Sequence, residues 1–141
     1  MPRSDEARCE LICIDPARVS EFWPHVAPLI RTAMERGAIT DFRDVADAVF
    51  TGRALVWIAW DGMAIKAAAV TQLSTAGGAR FCTIVACGGN GRNEWMPLLA
   101  GLERYAKTEN CKAMRIFGRR GWERVLPDYK PARVLLEKEL S

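Results

Sequence analysis

The stretch TIVACGGNGRNEWMPLLAGLERYAK, residues 83–107, decides the fold. An apolar run ends at three closely spaced glycines, and a segment with helical periodicity follows at once. The apolar residues of this segment form one stripe: Trp95, Leu98, Leu99, Leu102, Tyr105 and Ala106. Their spacing predicts an amphipathic helix. A strand, a glycine-rich turn and a helix in this order are typical of phosphate-binding turns, because the first N–H groups of a helix have no intrahelical partner.

The chain before this stretch predicts a first strand, two helices and a meander of strands. The first strand is CELICID (9–15), and helical periodicity follows over 19–37 and again over 40–52. The meander consists of ALVWIAW (54–60), MAIKAAAVTQLS (63–74) and RFCTIVAC (80–87). Because Asp61-Gly62 is a strong hairpin signal, the alanine-rich segment that follows it is predicted to be a strand and not a helix.

The chain after this stretch predicts a strand, a short helix and a closing strand. These are KAMRIFG (112–118), GWERVLPD (121–128), which Pro127 would end, and ARVLLEKEL (132–140). The resulting order, β-α-α-β-β-β-α-β-α-β, predicts an α/β (α+β) fold in which helices cover a mixed, mostly antiparallel sheet of six or seven strands. The length of 141 residues and the lack of a linker predict one domain, 1–141.

Composition and charge narrow the classes of partner. Half of the residues are hydrophobic and 26% are charged, as in an ordinary globular protein. No apolar run approaches the roughly 20 residues of a membrane span. The N-terminal MPRSDEARCE lacks the apolar core of a signal peptide, so we expect a cytoplasmic protein with no membrane partner. The net charge of +3 and the spread of Arg and Lys argue against nucleic acid.

The cysteines predict thiols and no metal site. Their number is odd, and they are scattered in apolar segments: Cys9, Cys13, Cys82, Cys87 and Cys111. This pattern favours buried, reduced thiols over a disulfide framework. The only histidine is His25, and no Cys-x-x-Cys pair is present, so we predict no metal.

Two segments and the element order resemble the GNAT acetyltransferase superfamily. LLAGLERYAKTENCKAMRIFG (98–118) is similar to the central helix and fifth strand of that family. GWERVLPDYKPARVLLEKEL (121–140) is similar to its last helix and closing strand. The resemblance implies a divergent acyl-CoA-dependent N-acyltransferase with acetyl-CoA as cofactor and a small-molecule or peptide amine as acceptor.

The resemblance also implies a cofactor site at the turn that follows the fourth strand. In the family this turn carries an Arg/Gln-x-x-Gly-x-Gly/Ala pattern, whose backbone N–H groups bind the pyrophosphate. Here the two small positions fall near Asn93 and Trp95, and the glycines come earlier. We therefore expect weak binding of acetyl-CoA, through Val85, Cys87, Gly88, Gly89, Gly91 and Arg92. The other interpretation of the glycines is a loop that needs positive φ angles.

The catalytic residue implied by the resemblance is Tyr129, as the acid that protonates the leaving thiolate. The other interpretation places Tyr129 as a packed aromatic residue at the start of the last strand. No Asp or Glu lies in the central strands to act as a base. The alternative function is therefore a non-catalytic GNAT-like module that binds a protein partner or a small ligand. Five tryptophans and the apolar strands leave room for a homodimer surface.

Overall fold

The computed structural model describes residues 9–35, 41–89, 92–116, 126, 128–131 and 136–140. The helices are α1 (Val19–Met34), α2 (Phe42–Phe50) and α3 (Arg92–Thr108), and a 3₁₀ turn at Pro16–Arg18 precedes α1. The strands are β1 (Glu10–Cys13), β2 (Leu55–Trp60), β3 (Ile65–Ala76), β4 (Ala79–Gly89) and β5 (Ala113–Ile116). The predicted α/β (α+β) class is confirmed, and β3 confirms that the alanine-rich segment is a strand.

The strands form one sheet in the order β1-β2-β3-β4-β5. Neighbours are antiparallel except β4 and β5, which run parallel because α3 carries the chain back between them. The carboxylate of Asp61 holds the β2–β3 turn, accepting the backbone N–H groups of Met63 and Ala64 at 2.8 Å each. Gly77 and Gly78 close the β3–β4 turn with φ angles of 58° and 82°, which favour glycine.

Helices cover both faces of the sheet. The cluster on the α1 and α2 face includes Val26, Ile30, Val45, Val49, Val56 and Val70. The cluster on the α3 face includes Trp57, Ile84, Leu98, Leu99, Leu102 and Leu126. The centre of β3 contributes to both clusters: Ala67 and Ala69 belong to the α3 face and Ala68 to the other, all three fully buried. Alanine at these positions leaves room for a helix on each side.

Helix α1 forms although it contains Pro24 and Pro28. Each proline removes a backbone donor, and proline in a helix interior costs about 3 kcal/mol relative to alanine. The same helix buries one apolar stripe against the sheet: Val19, Val26, Ile30 and Met34. Burial of this stripe offsets the cost of the prolines, since helices in proteins draw most of their stability from tertiary packing.

Helix α3 packs on the sheet through the stripe predicted from the sequence. Leu98, Leu99 and Leu102 are buried. The Tyr105 ring meets Trp57 edge-on, with 4.8 Å between the ring centroids. The Trp57 indole N–H donates to Thr71 Oγ1 at 2.9 Å, which gives this buried donor its partner. The side chain of Trp95, also predicted on this stripe, lies outside the described residues.

The C-terminal part of the chain differs from the predicted order. The structure describes five strands where six or seven were predicted. Of the closing strand predicted over 132–140, residues 132–135 lie outside the described residues and residues 136–140 have no regular structure. Leu136 and Leu140 are 87% and 85% exposed. A segment with alternating side chains forms a strand only where it can pair with the edge of a sheet. Within the described chain, residues 136–140 pair with no strand. Most of the predicted 121–128 helix lies outside the described residues.

Leu102→Ala should lower the free energy of unfolding by about 2–5 kcal/mol, because it leaves a cavity beneath the fully buried middle of α3. Met63→Ala is the matched control: it also truncates a large apolar side chain, but one that is 88% exposed, so the expected change is within about 0.5 kcal/mol. Chemical denaturation measures both. A loss below about 1 kcal/mol for Leu102→Ala would contradict the buried stripe.

Candidate functional site

Within the described residues, the parallel pairing of β4 with β5 ends well before β4 itself ends. The paired residues run from Phe81 with Ala113 to Ile84 with Ile116, whereas β4 continues to Gly89. Within the described residues, positions 85–89 of β4 therefore have no strand partner on the β5 side. We call these positions the open edge of β4. Unpaired backbone groups on a strand edge bind extended ligands that carry amides.

A β-bulge marks the start of the open edge. Opposite β3, Ile84 pairs with Thr71 and Ala86 pairs with Val70, so Val85 is the extra residue on β4. A bulge bends its strand and increases the local twist. Because Ile84 is also the last residue of β4 that pairs with the described part of β5, the bend and the end of this pairing coincide.

Gly88 and Gly89 are strand residues that allow close packing. A Cβ added at Gly88 would lie 2.5 Å from the Leu29 carbonyl oxygen of α1 and 3.0 Å from Ala33 Cβ. A Cβ added at Gly89 would lie 2.8 Å from Ala67 Cβ and 2.9 Å from the Lys66 carbonyl oxygen. Neither glycine has a positive φ angle, so the interpretation as a left-handed loop is wrong for these two. Their missing side chains make room for α1 and β3.

The open edge leads directly into α3. Strand β4 ends at Gly89, and α3 begins at Arg92 and runs for 17 residues. The N-terminus of such a helix carries unpaired N–H groups and a partial positive charge. The predicted binding residues Val85, Cys87, Gly88 and Gly89 thus lie on one strand that ends beside this helix start. Gly91 and the side chain of Arg92 lie outside the described residues.

The thiols around the site hold their protons at neutral pH. Burial raises the pKa of Cys87 on the open edge to about 12 and that of Cys82 to about 11. Since the thiolate is the nucleophilic form, neither side chain is activated for attack. The expectation of buried thiols holds fully only for Cys82, because Cys13 is exposed at the end of edge strand β1, and Cys87 and Cys111 are half-buried.

Tyr129 packs against the buried cluster on the α3 side of the sheet. Its hydroxyl donates to Glu103 Oε2 at 2.5 Å, and Glu103 lies on α3. Burial, followed by this hydrogen bond, raises the pKa of Tyr129. A phenol with a raised pKa gives up its proton less readily, so the contacts favour the packing interpretation. The sequence does not predict Glu103 as the partner of Tyr129, because an acidic residue on the polar side of a helix is common.

No three His, Cys, Asp or Glu side chains described in the structure converge in a way that could hold a metal ion. No helix among the same residues is long and apolar enough to cross a membrane.

The chain shares its fold with solved acetyltransferases. An aminoglycoside acetyltransferase from an uncultured soil metagenomic sample, in complex with sisomicin, superposes with a TM-score of 0.67 at 10% identity, over 94% of this chain and 97% of the other. A GNAT family acetyltransferase of Staphylococcus aureus gives 0.65 at 15% identity, over 94% and 99%. A predicted acetyltransferase of Clostridium acetobutylicum with acetyl-CoA gives 0.63 at 15% identity, over 94% and 96%.

No protein-family model matches the chain, and no curated protein matches it by sequence. At 10–15% identity the structural similarity rests on the fold, and it shows that this chain has the fold of the GNAT acetyltransferases. The resemblance drawn from the sequence is thereby confirmed at the level of the fold.

Gly88→Ala should lower the free energy of unfolding by about 1–3 kcal/mol with no ligand in solution, because its methyl group would meet the α1 backbone at 2.5 Å. Ser74→Ala, at an exposed position of β3, is the control and should change stability by less than about 0.5 kcal/mol. Thermal or chemical denaturation measures both. Unchanged stability for Gly88→Ala would mean that α1 is not closely packed against β4 at this position.

Both tyrosines should resist ionisation in the folded protein. Burial, with the nearby charge of Glu109, raises the pKa of Tyr105 to about 12, and the pKa of Tyr129 is also raised. Unfolded tyrosines ionise near a pKa of about 10, so the folded state keeps protons that the unfolded state loses. The stability that the two phenols contribute is therefore present below about pH 10 and is lost as pH rises toward 12.

Absorbance at a tyrosinate wavelength tests this prediction. The folded protein should show little change up to about pH 11, and the denatured protein should titrate near 10. Glu103→Gln should move the ionisation of Tyr129 in the folded protein to lower pH, because it removes the carboxylate that accepts the hydrogen bond from the Tyr129 hydroxyl. If both tyrosines of the folded protein ionised with a midpoint near pH 10, burial and hydrogen bonding would not raise the pKa of either one.

Proposed function

We propose that this protein is an acyl-CoA-dependent N-acyltransferase of the GNAT type, which acylates an amine of a small molecule or a peptide. The observation that carries the proposal is the open edge of β4, which starts at the Val85 bulge and ends beside the N-terminus of α3. Three proteins with the same fold are described as acetyltransferases, and one of them was solved with acetyl-CoA.

The open edge suits the extended arm of acetyl-CoA. That arm carries amide groups, which would bond the backbone of Val85 and Cys87 as an added strand would. The pyrophosphate would lie against the backbone of Gly88, Gly89 and Gly91 and the first N–H groups of α3 at Arg92, where the helix dipole favours anions. The cofactor supplies an activated acyl group in its thioester, and the chain supplies binding and orientation.

Direct transfer fits the site better than transfer through cysteine. The acceptor amine would attack the thioester carbonyl carbon, the C–S bond would break, the amine would lose its proton and the departing thiolate would take one up. Cys87 is the thiol on the open edge, and its pKa of about 12 keeps it protonated and unreactive.

The acid for the departing thiolate is proposed to be Tyr129, with Glu103 as its hydrogen-bond partner. The Tyr129 hydroxyl would have to break its hydrogen bond to Glu103 before it could donate its proton to sulfur. The proposal also places the reaction in the cytoplasm, where thiols such as Cys82 and Cys111 remain reduced.

Binding of acetyl-CoA is expected to be weak, for a reason visible in the packing. Gly88 and Gly89 make room for α1 and β3, so their missing side chains face protein. The positions that would let a pyrophosphate approach α3 hold Asn93 and Trp95. These positions support a second candidate function, a non-catalytic module that uses the same cleft to bind a protein partner or a small ligand.

Calorimetric titration with acetyl-CoA tests the cofactor site. We expect a dissociation constant of roughly 0.1–1 mM, and at least tenfold weaker binding for Gly91→Val, because a branched side chain there would displace the phosphates. Ala76→Val is the matched control: it introduces the same side chain at the opposite end of the β3–β4 hairpin and should leave binding unchanged. No heat at millimolar acetyl-CoA would contradict the proposal.

Turnover separates the two candidate functions. Release of free thiol from acetyl-CoA, followed with a panel of amines, should depend on the acceptor if the protein is an enzyme. Tyr129→Phe would then lower kcat and leave the affinity for acetyl-CoA unchanged. Binding without acceptor-dependent release would support the non-catalytic module.

A further inference from the structure

Strand β3 continues beyond β2 at the end of the sheet opposite the candidate site. Within the described residues, the last residue of β3 paired with β2 is Thr71, opposite Leu55, and β3 runs on to Ala76. On its other side this extension pairs with β4 up to the turn between the two strands. The open edge of β4 lies at the far end of the same hairpin, opposite Ala67 to Val70. We call residues 72–76 the outer edge of β3.

The outer edge of β3 is accessible to solvent. Its last three residues, 74–76, are exposed, and the two before them are half-buried. The chain that enters β2 turns away from this edge, because the backbone N–H groups of Arg53 and Ala54 donate to the Ala48 carbonyl oxygen in α2. An accessible strand edge is a template on which another strand can pair.

The β3–β4 turn determines which backbone groups of the outer edge are free. Both turn glycines have positive φ angles, 58° and 82°, as a type I′ hairpin turn requires. The residues on either side of such a turn, Ala76 and Ala79, face each other through a backbone hydrogen bond. Because the bonding direction alternates along an antiparallel strand, the N–H and C=O groups of Leu73 and Thr75 point away from β4. In the described chain these groups meet no partner strand.

The outer edge of β3 lacks the features that keep sheet edges apart. Its sequence, QLSTA, contains no charged residue and no proline, and the bulge on β4 lies outside it. Charges, prolines and bulges are the usual protection of edge strands. A neutral edge does not attract an acidic or a basic peptide, whereas two identical neutral edges meet without like-charge repulsion. The charge pattern therefore favours a second copy of the same edge as the partner.

We propose that the outer edge of β3 pairs with the same edge of a second copy of this chain, antiparallel about a two-fold axis at Ser74. In this register Leu73 of each copy lies opposite Thr75 of the other, and each such pair exchanges both backbone hydrogen bonds. The two Ser74 residues form the non-hydrogen-bonded pair on the axis, with about 4.5 Å between their Cα atoms. The contact is isologous and closed, so it ends at two copies.

The small contact predicts a weak dimer. A standard interface uses about 20–30 residues of each partner, many more than the outer edge offers, so the dissociation constant should be roughly 10–100 µM. Sedimentation of the full chain tests this expectation. The mass should rise from the monomer value of 15.7 kDa toward twice that value as the concentration is raised from about 5 µM to about 1 mM.

Charges placed on the two-fold axis test the register. Ser74→Lys and Ser74→Asp should each raise the dissociation constant at least about 100-fold, because two like charges would lie directly opposite each other. An equimolar mixture of the two variants should dimerise again, since lysine then faces aspartate. This rescue separates a lost contact from a folding defect. Ser20→Lys makes the same change at an exposed position of α1 and should dimerise as wild type does.

A cysteine on the axis tests the contact directly. Treatment of Ser74→Cys with oxidised glutathione should link the two copies by a disulfide, because a Cα separation of about 4.5 Å lies within disulfide range. Met63→Cys is the matched control: it places a thiol at a position that is 88% exposed, at the other end of β3, and should cross-link no more than wild type. Wild type reports the background from its own exposed thiol, Cys13.

Three results would overturn the proposal. One is a wild-type chain that stays monomeric up to about 1 mM, which would leave the edge to another partner or to solvent. Another is a dimer that persists in Ser74→Lys, because its contact would lie elsewhere on the chain. The third is a mixture of the lysine and aspartate variants that remains monomeric. None of these results bears on acetyl-CoA binding, so they leave the proposed function standing.

Discussion

The close approach of two helical layers to one sheet is the constraint on which the rest of the structure depends. At Gly88 the backbone of α1 lies against the backbone of β4, with 2.5 Å between the Leu29 carbonyl oxygen and an added Cβ. The fully buried Ala67–Ala69 leaves similar room at the centre of β3, and at Gly101 the Leu11 side chain occupies the place of a Cβ. Larger residues at these points would separate the layers, and dispersion contacts weaken steeply with distance.

This packing decides what the glycine cluster contributes to the candidate site. Gly88 and Gly89 serve the contacts with α1 and β3, so the site is built from the backbone of β4 and the start of α3. The Cys87 thiol keeps its proton, and the Tyr129 hydroxyl donates to Glu103. A site of this kind holds and orients a ligand more than it reacts with one. Acyl transfer from a thioester suits such a site, because the activated group arrives with the cofactor and the protein supplies position.

The proposed function depends on an unpaired strand edge. The bulge at Val85 and the early end of the β4–β5 pairing leave backbone groups of β4 open to a ligand with amides. Strand edges that stay open tend to pair with another extended chain, and an extended ligand with amide groups could occupy this one.

The sequence by itself determined the order of elements, because periodicity, hairpin signals and stripes depend on neighbouring residues. It predicted the α3 stripe through Leu102 and the strand after Asp61-Gly62, and both are present. It could not show that Gly88 faces Leu29 or that Tyr129 donates to Glu103, since residues far apart in the chain meet only in the folded molecule. The same limit explains why residues 136–140 of the closing strand predicted over 132–140 have no strand structure. Alternation gives a segment the capacity to pair, and only the tertiary structure decides whether an edge lies within its reach.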